Sequence, residues 1–480
     1  MKKISAYSFV LFACILSIFS CRIPVKTTKP VMQEMPENYS SPGRDSLNIA
    51  SISRELFFHD EALLGLIDSA LKHNPDLQII LQRVAASRAY LNMSRGLTKP
   101  SVDAIISAGV DKFGDYTMNG LGNYDMNLSQ NINKDQRIPL NMPDMFLGFR
   151  SSWETDIWGK LTDRKKAAYA RYLSSEKGRQ WATTQLVAHV ASLYYELLAL
   201  DKEEEIILNN IELQENALQV VVAQKAGGRA TELAVQQFNA QLLGTKSFLH
   251  VIRQSIVETE NALNALTGKF SQQIKRHNKI VELELPTVVN TGVPTQLLIN
   301  RPDIQEAELL LTAAGAELEA SRKAFLPSLN ITAYTALNTF NPQFLVSPKS
   351  LAYGILGGLV TPVLSKNMLR GNYELATAAQ TEAFYQYQKN ILNAYQEVQT
   401  QLKGIAHYKQ IYTLKTEETK TLQAAVSISK ELYRTGYASY LEVITAQRGV
   451  LDAELESIKS KRTVFIRLID LYRALGGGWK

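Results

Sequence analysis

Two hydrophobic periods alternate along this chain. The first has a repeat of two. In Val102-Ala104-Ile106-Ala108-Val110 every second place is apolar, with Asp103, Ser107, Gly109 and Asp111 among the residues between. Leu147-Phe149-Ser151-Trp153-Thr155-Ile157 and Leu329-Ile331-Ala333-Thr335-Leu337 read the same way, and Tyr353-Ile355-Leu359 stands in a glycine-rich alternating stretch. Successive side chains of a strand point to opposite faces, so these runs predict strands at about 101–113, 146–158, 328–340 and 351–364. Each is long enough to cross a bilayer as a tilted strand with lipid on one face and water on the other. A half-buried strand of a soluble sheet alternates identically, and four strands are too few to close a membrane barrel. Either the strands lie outside the membrane, or several chains build one barrel.

The second period is 3.5. Leu186, Val190, Leu193, Leu197 and Leu200 alternate steps of four and three, as do Ile391, Tyr395, Val398, Leu402 and Ile405. Such stripes predict helices packed through coiled-coil seams. Proline, which breaks a helix interior, is absent from 144–285 and from 363–480. Long helices are therefore expected at about 160–226 and 229–268, and again at about 367–435 and 438–475. The first would run about 100 Å at 1.5 Å per residue. Gly227-Gly228 and Gly436 would turn each long segment back on itself, making antiparallel pairs with a tip at one end.

The two halves repeat one another. Asn74-Pro75-Asp76-Leu77 opens a helical stretch ending at Lys99-Pro100-Ser101, and Arg301-Pro302-Asp303-Ile304 opens another ending at Leu326-Pro327-Ser328. Pro75 to Pro302 and Pro100 to Pro327 are the same step of 227 residues. Gly228-Arg229-Ala230-Thr231-Glu232-Leu233 answers Gly436-Tyr437-Ala438-Ser439-Tyr440-Leu441 at a step of 208, and Leu266-Thr267-Gly268 answers Leu475-Gly476-Gly477 at 209. An ordered series of such matches marks a duplication, with an insertion in the first copy between Pro100 and Gly228. The expected organisation is a first repeat over 53–268, a connection over 269–300 and a second repeat over 301–480.

Composition narrows the function. A net charge of +6 over 480 residues, without a basic block, makes nucleic acid a poor partner. Six scattered histidines, two cysteines and dispersed methionines give no metal-ligand pattern; Met142 and Met145 are near neighbours, in an expected external loop. There is no phosphate-binding glycine loop, no HExxH pair and no nucleophile elbow, so no catalytic site is expected and an enzyme finds no support. At the N-terminus, Lys2 and Lys3 precede an apolar run over 6–19 that is too short to span a bilayer, which reads as a signal peptide over 1–20. Cys21 follows Ser20 at its end, an arrangement that resembles the lipobox of bacterial lipoproteins, and would become the acylated first residue. Cys14 would be removed, leaving Cys21 without a disulfide partner. Residues 21–52, with Pro24, Pro30, Pro36 and Pro42, read as a lipid anchor and an extended tether.

Further motifs carry a family resemblance. They are the run from Leu63-Leu64-Gly65 to Asn74-Pro75-Asp76-Leu77, Arg301-Pro302-Asp303-Ile304-Gln305-Glu306-Ala307-Glu308, and Trp153-Glu154-Thr155-Asp156-Ile157-Trp158-Gly159-Lys160-Leu161. Tyr433-Arg434-Thr435-Gly436, Ala446-Gln447-Arg448 and the terminal Leu475-Gly476-Gly477-Gly478-Trp479 complete the set. From about residue 55 to 480 the chain resembles the TolC-like outer membrane efflux proteins, in the lipoprotein branch that serves RND pumps. The resemblance implies a long α-helical coiled-coil barrel joined to a β-barrel of four strands per chain, twelve in a homotrimer. It implies a passive exit duct for drugs or small molecules, lipid-anchored in the outer membrane with a helical tunnel into the periplasm. Its partners would be a periplasmic adaptor and an inner-membrane RND transporter, and it needs no cofactor beyond the lipid on Cys21.

The resemblance also nominates residues. Gly228, Ala230 and Thr231, with Thr435, Gly436, Ala438 and Ser439, match tips that meet the adaptor in this family. A tight turn needs glycine with or without a partner, so small residues alone leave that role open. Leu441, Thr445 and Arg448 match a periplasmic gate. Relatives often carry an Asp where this chain has Thr445, so no Asp–Arg lock can form there. A constriction by a ring of Leu441 is expected, with Arg448 paired elsewhere. Glu442, three residues before Thr445, points to another part of the helix surface. Two other readings stand beside the efflux duct: the duct of a type I protein secretion system, and a structural helical-stalk lipoprotein without a pore.

Overall fold

The structure, a computed structural model, describes residues 31, 34–39, 48–276, 278–285, 291–362 and 366–479. The expected signal segment and Cys21 lie outside the described residues. The chain divides into two compact units: one takes Ala86–Tyr172 and Leu310–Phe384, the other Val31–Ala85, Leu173–Leu309 and Tyr385–Lys480.

The first unit is built on a four-stranded antiparallel sheet. After helices α1 (Glu61–His73) and α2 (Pro75–Gly96) comes β1 (Ser101–Asp111), then a short helix α3 (Met118–Asn127) and β2 (Met142–Thr155). In the second half, α6 (Pro302–Lys323) leads to β3 (Ser328–Thr339) and β4 (Leu351–Val360). The sheet order is β1-β2-β3-β4, so each repeat contributes one hairpin and the hairpins join through β2 and β3. α4 and α5, which complete the first repeat, are Lys160–Ala226 and Glu232–Leu266; α7 and α8 of the second are Lys366–Thr435 and Tyr440–Ala474.

Two local differences from the sequence reading have physical causes. Met142 and Met145 are not in a loop; they belong to β2, which begins four residues before the expected position 146. Pro143 suggests a break, yet it sits where β2 pairs only with β1, before the β3 ladder begins at Met145. Its missing donor is harmless there. Within the connection between β1 and β2, Thr117 caps α3 by accepting from the Gly120 amide at 3.1 Å. The Asn127 side chain clamps the returning chain by bonding both the N–H and the C=O of Ile138 at 2.8 Å.

The second unit holds the helical core. The heptad stripe of α4 is inside: Leu186, Val190, Leu197 and Leu200 are buried with Leu63 and Ile67 of α1, Leu263 of α5 and Ile469 of α8. Ile391, Val398 and Ile405 of α7 pack with Leu297, Ile304, Val464 and Leu471 in a second cluster. α8 therefore feeds both cores from different faces. Tyr39, within the stretch read as a tether, is buried in the second cluster and stacks on Tyr395 at 5.7 Å between centroids. An aromatic ring in that polar stretch finds an apolar seat.

Candidate functional site

The sheet carries the first functional surface. Its register places Ile106, Leu147, Leu337 and Leu351 in one row across the four strands. Ala104, Phe149, Thr335 and Tyr353 form the next row, and Val102, Ser151, Ala333 and Ile355 the one after. All four alternating runs thus share one face. That face is uncovered within the protomer: Ile106 is 84% exposed and Ile355 80%. A contiguous exposed apolar face needs an apolar medium or a partner. The opposite face bears Asp103, Ser107, Arg150, Ser152, Glu154, Asn330, Thr332 and Asn338. Asn338 Nδ2 donates to Asp144 Oδ1 at 2.9 Å across it. At the end of β2 joined to α4, Trp153 and Trp158 donate their indole N–H groups to the carbonyls of Thr98 and Pro327, at 3.3 and 2.7 Å. Indoles with an anchored polar edge suit a membrane–water boundary. Among the described residues no further strand pairs with the outer edges of β1 and β4. No described helix is long and apolar enough to cross a membrane.

The helical tips form the second surface. Gly228 and Gly436 both take left-handed backbone, with φ of 73° and 84°. Only glycine adopts this readily, which is why each long helix ends there. Arg229 N–H closes back on the Gln224 carbonyl at 2.8 Å, and Tyr437 N–H on that of Leu432 at 2.8 Å. The chain then restarts with a capped helix. Thr231 accepts from the Ala234 amide at 3.2 Å, and Ser439 pairs with Glu442 in a capping box. Bonding to Ser439 holds the Glu442 carboxyl below its usual range. Thr435 donates its hydroxyl to the carbonyls of Glu431 and Leu432, at 3.0 and 3.1 Å. Ala230 is half-buried in a cluster of Val221, Ala234, Phe238 and Val443, and Ala438 is half-buried too. Gly228, Thr231, Thr435, Gly436 and Ser439 are exposed. The tips of the two repeats pack on one another, because Tyr433 donates to Gln224 Oε1 at 2.7 Å. Burial pushes the Tyr433 phenol up from its ordinary value.

Leu441, Thr445 and Arg448 fall at steps of four and three along α8, so they share one exposed stripe. Leu441 is 57% exposed. Among the described residues of its own protomer, Arg448 has no hydrogen-bond or ion-pair partner. Glu442 is occupied in the capping box.

Residues 66–269 and 293–477 match the outer membrane efflux protein family. The chain belongs to that family. Its relatives include the solvent efflux pump outer membrane protein SrpC of Pseudomonas putida, 25% identical over 457 residues, covering 94% of this chain and 93% of that one. The cation efflux system protein CusC of Escherichia coli O6:H1 is 24% identical over 477 residues, with 98% of each chain covered. The solved structure of the outer-membrane channel OprN superimposes with a TM-score of 0.84 at 21% identity, over 95% of this chain and 99% of that one. Membership makes this an outer membrane protein of efflux, and the fold is the mixed helical and β-sheet channel fold the sequence implied.

Two features of this family member escape sequence reading. Arg301 is a buried clamp, 3% exposed: it bonds Asp303 at 2.7 Å, Glu397 at 2.8 Å and the Ala474 carbonyl at 2.8 Å. Its guanidinium carbon also lies 4.9 Å from the centroid of the Trp181 ring. Burial alone would lower its pKa; the two carboxylates more than offset that and raise it. Gln447, beside Arg448, is buried with neither amide atom bonded. Among the described residues no group of three or more His, Cys, Asp or Glu side chains could hold a metal ion.

Proposed function

We infer that three copies of this chain form the exit duct of a tripartite efflux pump. The observation that carries this reading is the sheet: four strands with an exposed apolar face and two unpaired outer edges. Pairing β4 of one copy with β1 of the next removes every edge, and three copies give twelve strands, within the range of membrane barrels. The apolar face then meets lipid and the polar face lines water. Cys21 carries the lipid anchor, following the cleaved segment 1–20. The tips around Gly228, Ala230, Thr231, Thr435, Gly436, Ala438 and Ser439 receive a periplasmic adaptor, which links the duct to an RND transporter. Leu441 from three copies narrows the periplasmic end, and Arg448, unpaired within its protomer, is left for a neighbouring copy. The duct is passive, holds no catalytic group and leaves the choice of cargo to the pump. Relatives named for solvents and for cations fit that division of labour.

The test has two arms. In planar bilayers the purified protein should conduct, and Leu441→Gly should raise conductance by widening the tips. Silence from both would leave a helical stalk without a pore. In cells, Ser439→Cys reacted with a short heterobifunctional linker should capture an adaptor together with an RND transporter. Capture of an ABC-type exporter instead would reassign the protein to secretion.

A further inference from the structure

A cleft of about 490 Å³ opens among α4, α7 and α8 of the helical unit. Its floor is apolar, from Ile206, Leu213, Val426, Val450 and Ile458. Its polar groups are unevenly matched. Gln423 donates to Glu454 Oε1 at 2.8 Å and Thr416 meets Ser457 at 3.3 Å, so both pairs are satisfied. Those two contacts also fix the antiparallel register of α7 and α8, and in that register Gln447 stands level with Val426–Lys430. Gln447 lines the cleft, is only 5% exposed and has neither amide atom bonded. Lys430 lines it too and has no acidic partner among the described residues.

An orphaned buried amide is costly, and native structures seldom leave one without a partner. The same cleft is lined by Lys430 and Lys420, neither of them ion-paired among the described residues, and by one carboxylate, Glu454. The Gln447 Nε2 donor and an ammonium ask for the same thing, an anionic oxygen; Gln447 Oε1 is an acceptor and calls for a donor instead. The adjoining apolar floor asks for something else, a hydrocarbon body. Volumes of several hundred cubic ångströms are typical of small-molecule sites.

We propose that this cleft binds an amphiphilic organic anion: a carboxylate at the Lys430–Gln447 end, with an apolar body along Val426, Val450 and Ile458. The carboxylate accepts from the ammonium of Lys430 and from the Gln447 amide, which turns toward it. A bound guest ties α8, two turns beyond Leu441, to α4 and α7. The site does not depend on the duct reading, because binding is measured without conductance.

The experiment is isothermal titration calorimetry on the full-length protein in nanodiscs, with empty nanodiscs subtracted. The probe is biphenyl-4-carboxylate, and its neutral twin is biphenyl-4-carboxamide. The carboxylate should bind at least tenfold tighter than the amide. Lys430→Glu should weaken it at least tenfold and Gln447→Leu several-fold, while Lys403→Glu, on α7 outside the cleft, should change nothing. Thermal unfolding of each variant identifies any loss that comes from misfolding, and a second variant, Lys430→Gln, should then show the intermediate affinity that loss of charge alone produces. Equal binding of carboxylate and amide, unchanged affinity in a folded Lys430→Glu, or no binding to the wild type would each overturn the site.

Discussion

The duplicated halves meet their long helices at equivalent joints, and the joints are built from different chemistry. In the first repeat the chain enters α2 through Asn74; in the second it enters α6 through Arg301, 227 residues later. Both joints bring a glycine against the preceding turn. A Cβ on Gly268 would lie 2.5 Å from the His73 carbonyl oxygen, and one on Gly476 2.4 Å from that of Asn300. Backbone geometry has been kept on both sides. The glue has not. Asn74 gives one hydrogen bond to the Leu266 carbonyl at 3.0 Å and caps α2 through the Leu77 amide at 2.9 Å. Aligning the two left-handed glycines, Gly268 and Gly476, sets the step here at 208 rather than the 209 read from the sequence, and in that match Arg301 reaches the equivalent carbonyl, that of Ala474, and adds Asp303 and Glu397. Glu397 also pairs with Arg473, which bonds Gln185 on α4 at 3.2 Å. One joint is a neutral cap within its own repeat; the other is a buried charge network reaching into the first repeat. A backbone solution can thus outlive duplication while the side chains that hold it diverge.

The largest test of this contrast is Arg301→Leu. Removing the cation leaves Asp303 without an ion-pair partner and Glu397 with Arg473 alone, and breaking a buried ion pair from one side costs about 3–5 kcal/mol. The far-UV melting midpoint should fall steeply, and restoring charge with Arg301→Lys should recover only part, because lysine lacks the planar fork. Next come the glycines. Gly268→Ala and Gly476→Ala each place a methyl against backbone, with φ at 69° and 91°, and should cost about 2–4 kcal/mol alike. Unequal losses would show that the two joints do not share one backbone geometry. Asn74→Ala ranks below both, at about 1–2 kcal/mol, the loss of a cap and one hydrogen bond.

A smaller effect depends on pH. Glu203 of α4 is buried and one of its oxygens is unbonded. Burial raises its pKa above the ordinary 4.5; Lys459 and Arg462 oppose this, while Glu196 and Glu456 reinforce it. The folded state therefore holds this proton more tightly than the unfolded chain. The stability it contributes is fully present below pH 4.5 and is lost as pH rises through the raised value. Glu203→Gln should stabilise the protein at pH 8, by on the order of 1 kcal/mol, and the advantage should shrink toward pH 4.5. A difference that stays constant over that range would exclude Glu203 as the titrating group.

These particulars mark what a sequence shows and what it hides. Alternation is local, so Ile106 and Ile355 could be assigned to a strand face without any knowledge of their neighbours. The tip turns were legible for the same reason, since Gly228 and Gly436 interrupt proline-free helices. The start of β2 was not, because Pro143 looks like a break until the absence of a β3 neighbour at that point is known. Helix α3 was hidden by Gly120, Gly122 and its asparagines, poor helix formers held by caps rather than by propensity. The Arg301 clamp was invisible because its partner Glu397 lies 96 residues away and Ala474 173 away. Gln447 stands in a visible motif, yet nothing in the motif says that its amide is buried and unbonded.

That last residue gives the sharpest form of the comparison, because it sets one buried amide against another. Both carboxamide atoms of Asn74 are bonded, and both of Gln447 are not. The contribution of a polar group depends less on its burial than on whether its bonds are made. Gln447→Leu exchanges an unpaired amide for an apolar side chain of similar size against Val443 and Val450, which flank it on α8. In the absence of a guest it should therefore leave the stability unchanged or raise it, by up to about 1 kcal/mol, although Asn74→Ala lowers it. A loss for Gln447→Leu matching that of Asn74→Ala would mean that its amide is already paired, by water or by a neighbouring copy, and the cleft would lose the reason to recruit an anion. Stabilisation by biphenyl-4-carboxylate that is smaller in Gln447→Leu than in the wild type would mean that substitution and ligand act on the same unmet donor.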